Sequence, residues 1–403
     1  MLDDALLDDP AALRRADRDN ALLALAGAGA RIRTALRLAD AAGLSDLRPD
    51  GRPRTVLVAG PGAALTAGAA LAALAVTSCQ VLPLAPHDVA PIARGHLGTP
   101  AFTAGLAWQL PGWAGPLDLL VLASADGGEQ GLIGLAEQAY ARGCAIAVIA
   151  PVGSLLAEAA LQVRGLPLPY VAAAEPDEDE RPDPPAEADL PSEDVGALWA
   201  VLTPLLALAE RIGVTQLPPG ELEATADRLD EVAVRCRPDA AAYGNPAKDL
   251  AGQLAGTVPL LWADGPLAGV AAERFAAMLA DRAARPALAA VLPQALTAHR
   301  GMLVGTLGAG ADPDDFFRDR VDEPDPLLLQ VLLLRRTPGQ DEPDETADPG
   351  YAVSRARRLA TAHDVRITDL TSGRTDPLQA LAELTGLTDF AAVYLGLAAA
   401  AQL

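Results

Sequence analysis

The residues equipped for acid–base or ligand chemistry fall into two groups, one in each half of the 403-residue chain. In the second half, Asp281 and His299 combine a carboxylate with an imidazole, a pairing able to serve as base and proton shuttle. In the first half, two glycine-containing turns follow all-apolar runs: Gly60-Pro61-Gly62-Ala63-Ala64, and Ser124-Ala125-Asp126-Gly127-Gly128-Glu129. In open parallel sheets, ligands collect outside the carboxyl ends of strands, where such turns and helix N-termini present N–H groups to anions. Ser124 offers a hydroxyl, and Gly127 and Gly128 permit close backbone approach. Asp126 and Glu129, by contrast, put negative charge where a phosphate would sit. The first turn lacks the third glycine of GxGxxG and an acid about 20 residues on, and the chain has no GxxxxGK[ST] loop, so neither nucleotide signature is present.

The scaffold that holds these residues is legible as a rhythm. A helical pattern over 11–43 precedes strand TVLVAG (55–60), a Gly/Ala helix (62–75), VLPLAP (81–86), LDLLVLAS (117–124), a helix (129–142), AIAVIAP (145–151) and LPYVAAA (168–174). After an acidic stretch the pattern resumes with helices at 195–213, 219–235 and 246–255, strand VPLLWA (258–263) and a helix at 267–284. The strand LLLQVLLL follows, and then helix, strand, helix over 352–362, 365–370 and 377–399. Short apolar runs alternating with helices predict βαβ units, and runs apolar at every position predict parallel sheets covered on both faces. The expectation is an α/β protein of two tandem αβα three-layer domains, 1–174 and 195–403, joined by an acidic Pro-rich linker at 175–194.

The net charge of −22 is concentrated. Residues 175–194 hold ten acids and one Arg, and 341–348 hold five acids and no base, so the remainder of the chain is only mildly acidic. Such segments read as solvated linker or loop. No basic face is visible, which argues against nucleic acid and against an anionic membrane surface. Three Cys without CxxC spacing and four scattered His predict free thiols, no metal site and no cofactor. The acidic N-terminus, where a signal peptide would be basic, predicts a cytoplasmic protein.

Over nearly its whole length the chain resembles the bifunctional phosphoglucose/phosphomannose isomerase family, built from two sugar isomerase (SIS) domains. Asn245-Pro246-Ala247-Lys248 is similar to that family's NPAK, LADRAARPALAAVLPQAL (279–296) to its LNENAKAPAF…LPE, and TDFAAVYLGL (388–397) to its terminal GDFASVYLA. In the first half AGPGAALTAG (59–68) resembles GMGGSAIAG, and SADGGEQG (124–131) the serine-rich SYSGNTEE phosphate loop. The resemblance implies a homodimer with active sites at the subunit interface, no metal, and aldose–ketose isomerisation of glucose or mannose 6-phosphate to fructose 6-phosphate through a cis-enediol. It places the proton-transferring acid at Asp281 and the family His at Thr297, with His299 two residues beyond as the ring-opening group. Gly60, Gly62, Ser124, Gly127 and Gly128 stand for the phosphate-binding loops. Several hydroxyls of those loops are replaced here: the second Ser by Asp126, the Thr by Glu129, and the Gly-Gly-Ser by Gly62-Ala63-Ala64. The alternative expectation is therefore a non-catalytic SIS-fold protein that binds a sugar derivative or a partner enzyme.

Overall fold

The computed structural model describes residues 4–49, 51–91, 101–172, 193–304, 328–337, 339 and 350–400. Most of the acidic linker and all of 341–348 lie outside the described residues. The chain forms two compact units, Gly27–Asp227 and a second made of Met1–Ala26 together with Arg228–Leu403.

Three short helices, α1 (Asp4–Leu7), α2 (Pro10–Ala16) and α3 (Ala21–Ala26), open the chain and belong to the second unit. The sequence pattern predicts one helix over 11–43, but polar caps break it. The Asp9 carboxylate accepts the Ala11 and Ala12 N–H groups to begin α2, and the Asp17 carboxylate accepts those of Ala21 and Leu22 to begin α3. The pattern resumes in α4 (Ala28–Ala41) after Gly27.

The Gly27–Asp227 unit continues with β1 (Thr55–Ala59), α5 (Ala63–Leu74), β2 (Gln80–Leu84), β3 (Asp88–Val89), α6 (Ala101–Gly105) and β4 (Leu106–Ala107). Then come β5 (Asp118–Ala123), α7 (Gln130–Ala141), β6 (Ala145–Ala150), α8 (Leu155–Gln162), β7 (Leu166–Pro169) and α9 (Ala197–Arg211). Helix α10 (Glu221–Arg235) spans the division between the units. Five strands form a parallel sheet in the order β2-β1-β5-β6-β7. Every residue of β1 and β5 is buried, as expected of central strands with helices on both faces. Helix α8, N-capped by Ser154, is not anticipated by the sequence pattern.

The second unit contains α11 (Pro246–Leu254), β8 (Val258–Ala263), α12 (Pro266–Ala283), β9 (Leu288–Val291), α13 (Gln294–Ala298) and α14 (Arg300–Val304). It ends with β10 (Leu329–Arg336), α15 (Tyr351–Ala362), β11 (Arg366–Ser372) and α16 (Pro377–Ala400). Its sheet is also parallel, in the order β11-β10-β8-β9. Strand β9 is Ala-rich and four residues long, too weak a pattern to stand out in the sequence. Helix α16 is long and apolar enough to cross a membrane, but 89% of its apolar window is buried, and it packs on α12 and α11 as a core helix. Both units are thus αβα layers around a parallel sheet.

Candidate functional site

In the Gly27–Asp227 unit the chain runs from β1 to β2 on one side and then crosses to β5 on the other. The crevice outside the carboxyl ends of β1 and β5 is therefore the point where strand order reverses, the usual ligand position in such sheets. A cleft of about 440 Å³ lies there, lined by the Gly60-following turn, the Ser124–Glu129 turn, Thr103 and the Glu193-Asp194 pair. Gly60 is required by close packing, since a Cβ there would lie 2.1 Å from the Ala123 carbonyl oxygen. Gly127 adopts φ +72°, and a Cβ would fall 2.3 Å from the Ser154 hydroxyl, so the tight turn needs glycine on both counts. Gly128 is buried beside it.

Inside the turn, the Ser124 hydroxyl donates to the Glu129 carboxylate (2.7 and 2.9 Å) and accepts from the N–H groups of Gly127 (2.6 Å) and Asp126 (3.1 Å). Its hydrogen-bonding capacity is used within the protein. Glu129 is buried, and burial pushes its carboxyl up to about 7; the Ser124 hydroxyl opposes the shift, and the nearby Asp126 charge adds to it. Partial desolvation raises Asp126 as well, although the residue as a whole is exposed.

The other wall comes from the end of the acidic segment. The Glu193 carboxylate accepts the N–H of Ala63 at the start of α5, and Gly62 at φ +50° leaves room for it. Asp194 pairs with the buried Arg31 of α4 at 2.6 Å and accepts the Gly196 N–H at 2.9 Å. Tyr170 is 7% exposed, and its hydroxyl has no hydrogen-bond partner among the described residues. Burial chiefly, with the Asp194 carboxylate, raises that hydroxyl well above its ordinary pKa. The sequence pattern marks Gly60, Gly62, Ser124, Gly127 and Gly128, and the structure places the two turns that carry them at one crevice. It does not reveal Glu193, Asp194, Arg31 or Tyr170. Glu193 and Asp194 look like linker acids, and the other two carry no motif.

In the second unit His299 is buried at the end of α13, and the indole N–H of Trp262 donates to its Nδ1 at 2.9 Å. Because an indole only donates, this bond holds the ring neutral with its proton on Nε2, and burial lowers its pKa as well. Asp281 lies fifteen residues past the start of α12, about 22 Å along that helix from the carboxyl edge of the sheet where His299 sits. It is exposed and pairs with Arg282 at 2.9 Å. Thr297 is exposed on α13. One copy of the unit thus keeps Asp281 and His299 at opposite edges.

The NPAK residues are structural fixtures. Asn245 caps α11 by accepting the Ala247 and Lys248 N–H groups. The buried Lys248 ammonium donates to the carbonyls of Leu7, Pro238 and Ala240 at 2.6, 2.6 and 2.8 Å and lies over the Tyr394 ring. In the terminal motif, Asp389 makes a buried pair with Arg274 (2.8 Å), and the Tyr394 hydroxyl donates to the Cys236 carbonyl. All three cysteines are free and buried. Among the described residues no group of three His, Cys, Asp or Glu is arranged to hold a metal ion.

Residues 244–401 match the family described as the bacterial phospho-glucose isomerase C-terminal SIS domain. No curated protein matches the chain by sequence. Among solved structures, a hypothetical protein from Thermus thermophilus superposes with a TM-score of 0.59 at 14% identity, covering 98% of this chain and 89% of that one. A candidate phosphosugar isomerase from Clostridium difficile gives 0.56 at 12% identity over 96% and 93%. The C-terminal domain of glucosamine-fructose-6-phosphate aminotransferase from Francisella tularensis gives 0.50 at 11% identity over 94% and 98%. The chain shares the α/β fold of these solved structures, with the SIS domain matched over 244–401.

Proposed function

We propose that this protein binds a sugar derivative in the cleft at the ends of β1 and β5, and that it contacts the sugar through hydroxyl or amine groups rather than through a phosphate. The observation that carries this reading is the Ser124–Glu129 pair: the hydroxyl that would bind a phosphate is already spent on a buried carboxylate. Each ionised carboxylate about 4 Å from a phosphate charge opposes it by roughly 4 kcal/mol at the effective dielectric of a protein surface. The same carboxylates accept hydrogen bonds from sugar hydroxyls and attract an ammonium. The reading is tested by thermal shift against glucose, mannose, glucosamine, glucose 6-phosphate and mannose 6-phosphate. The expected result is stabilisation by the neutral or amino sugars; stabilisation by the phosphates alone would overturn it.

A second reading is isomerisation of glucose or mannose 6-phosphate to fructose 6-phosphate, favoured by the match over 244–401. In it Asp281 moves the proton between C1 and C2, and His299, with Thr297 nearby, assists ring opening. Ser124 and the backbone at Gly60, Gly62, Gly127 and Gly128 hold the phosphate. Because Asp281 and His299 lie at opposite edges of the unit, this reading requires a homodimer in which a second copy brings the complementary group. The buried free thiols suit a reducing, cytoplasmic setting. A coupled assay of the purified protein decides: turnover that Asp281→Ala does not reduce eliminates this reading.

A further inference from the structure

Helix α5 begins at Ala63 without a side-chain cap from its own turn, since the residue before it is Gly62. The group that meets its first N–H is the carboxylate of Glu193, 130 residues away in sequence. The seat is closely fitted: a Cβ on Gly62 would lie 2.7 Å from the Glu193 carboxyl carbon, so this carboxylate occupies the space that the glycine leaves open. Its neighbour Asp194 is anchored separately by Arg31 and by the Gly196 N–H. The buried Tyr170 hydroxyl has no hydrogen-bond partner among the described residues and lies close enough to Asp194, Arg31, Glu193 and Asp126 to feel their charges.

We propose that Glu193 is a built-in competitor for anionic ligands: its carboxylate occupies the oxyanion position of the Gly60–Ala63 turn, and its removal lets that turn receive a phosphate monoester. The proposal rests on the reading that this cleft is the ligand site, and adds that at the Gly60–Ala63 turn, apart from the Ser124–Glu129 pair, Glu193 makes an autoinhibitory contact of its own. A side chain serving only as a helix cap would behave differently, since its loss would weaken α5 without creating affinity for an anion.

The test is calorimetric titration at pH 6, below the point at which Glu129 ionises, of the full-length protein, Glu193→Ala and Glu193→Gln with inorganic phosphate, glucose 6-phosphate and glucosamine. Glu193→Ala is expected to bind glucose 6-phosphate at least tenfold more tightly than the unaltered chain. Glu193→Gln, which keeps the shape but not the charge, is expected to fall between them. Should Glu193→Ala misfold, Glu193→Gln carries the same comparison. No gain of phosphate affinity in either folded variant, or equal affinity in the unaltered chain, overturns the proposal whatever glucosamine does. A gain in the variants with no glucosamine binding by any of the three proteins overturns the sugar-binding reading and leaves the role of Glu193 standing.

Discussion

A carboxyl group buried at the end of β5 with no cation beside it among the described residues must give up charge or stability. Glu129 is in that position, whereas its counterpart in the other unit is not. There the buried Ser372 at the end of β11 donates to Glu383 at 2.8 Å and accepts the Arg374 N–H, repeating the arrangement around Ser124, but Arg228 and Arg235 also reach that carboxylate. Glu129 therefore sets a pH dependence. Between the ordinary value of 4.5 and about 7, the folded chain holds a proton that the unfolded chain has released, so its contribution to stability falls as pH rises through that window. The loss amounts to about 3 kcal/mol by pH 8. Glu129→Gln removes it, so the urea midpoint of the unaltered chain is expected to fall relative to the variant between pH 5 and pH 8. Parallel pH profiles would show that Glu129 is not buried as a proton-holding acid.

Among the elements, α11 shows how a motif that suggests chemistry can serve packing. Lys248 satisfies three carbonyl oxygens from two separate segments of its unit, and the aliphatic stem is buried with it. Lys248→Met keeps the bulk but leaves those carbonyls without a donor, at an expected loss of about 3 kcal/mol in equilibrium denaturation. A change below about 0.5 kcal/mol would mean that water replaces the ammonium freely. The strands β1, β5, β6, β8 and β10 are readable in the sequence because central parallel strands are apolar along most of their length. Strand β9 and helix α8 are not, since a four-residue Ala-rich run and a short helix between turns carry little periodicity. The break of 11–43 into separate helices depends on where the Asp17 side chain turns, and hydrophobic spacing does not record that choice.

Across the full chain, the second unit is completed by the first 26 residues. Helices α1 and α3 pack on α16, and the Leu7 carbonyl is one of the Lys248 acceptors. A chain beginning at Gly27 is therefore expected to lose stability in the 228–403 unit while the fragment 27–227 still unfolds as one cooperative transition, monitored by circular dichroism in urea. Loss of cooperative folding by 27–227 would contradict its description as a self-contained unit. The class of fold is written locally in the amino acids, because a parallel sheet covered on both faces demands uninterrupted apolar strands alternating with helices. The two turns after β1 and β5 are written there too, since tight turns at strand ends require glycine. The filling of the cleft between those turns is a product of packing. Glu193 reaches Ala63, Arg31 reaches Asp194, and Asp281 lies at the far edge from His299 because contacts between residues separated by many positions exist only once the elements are assembled.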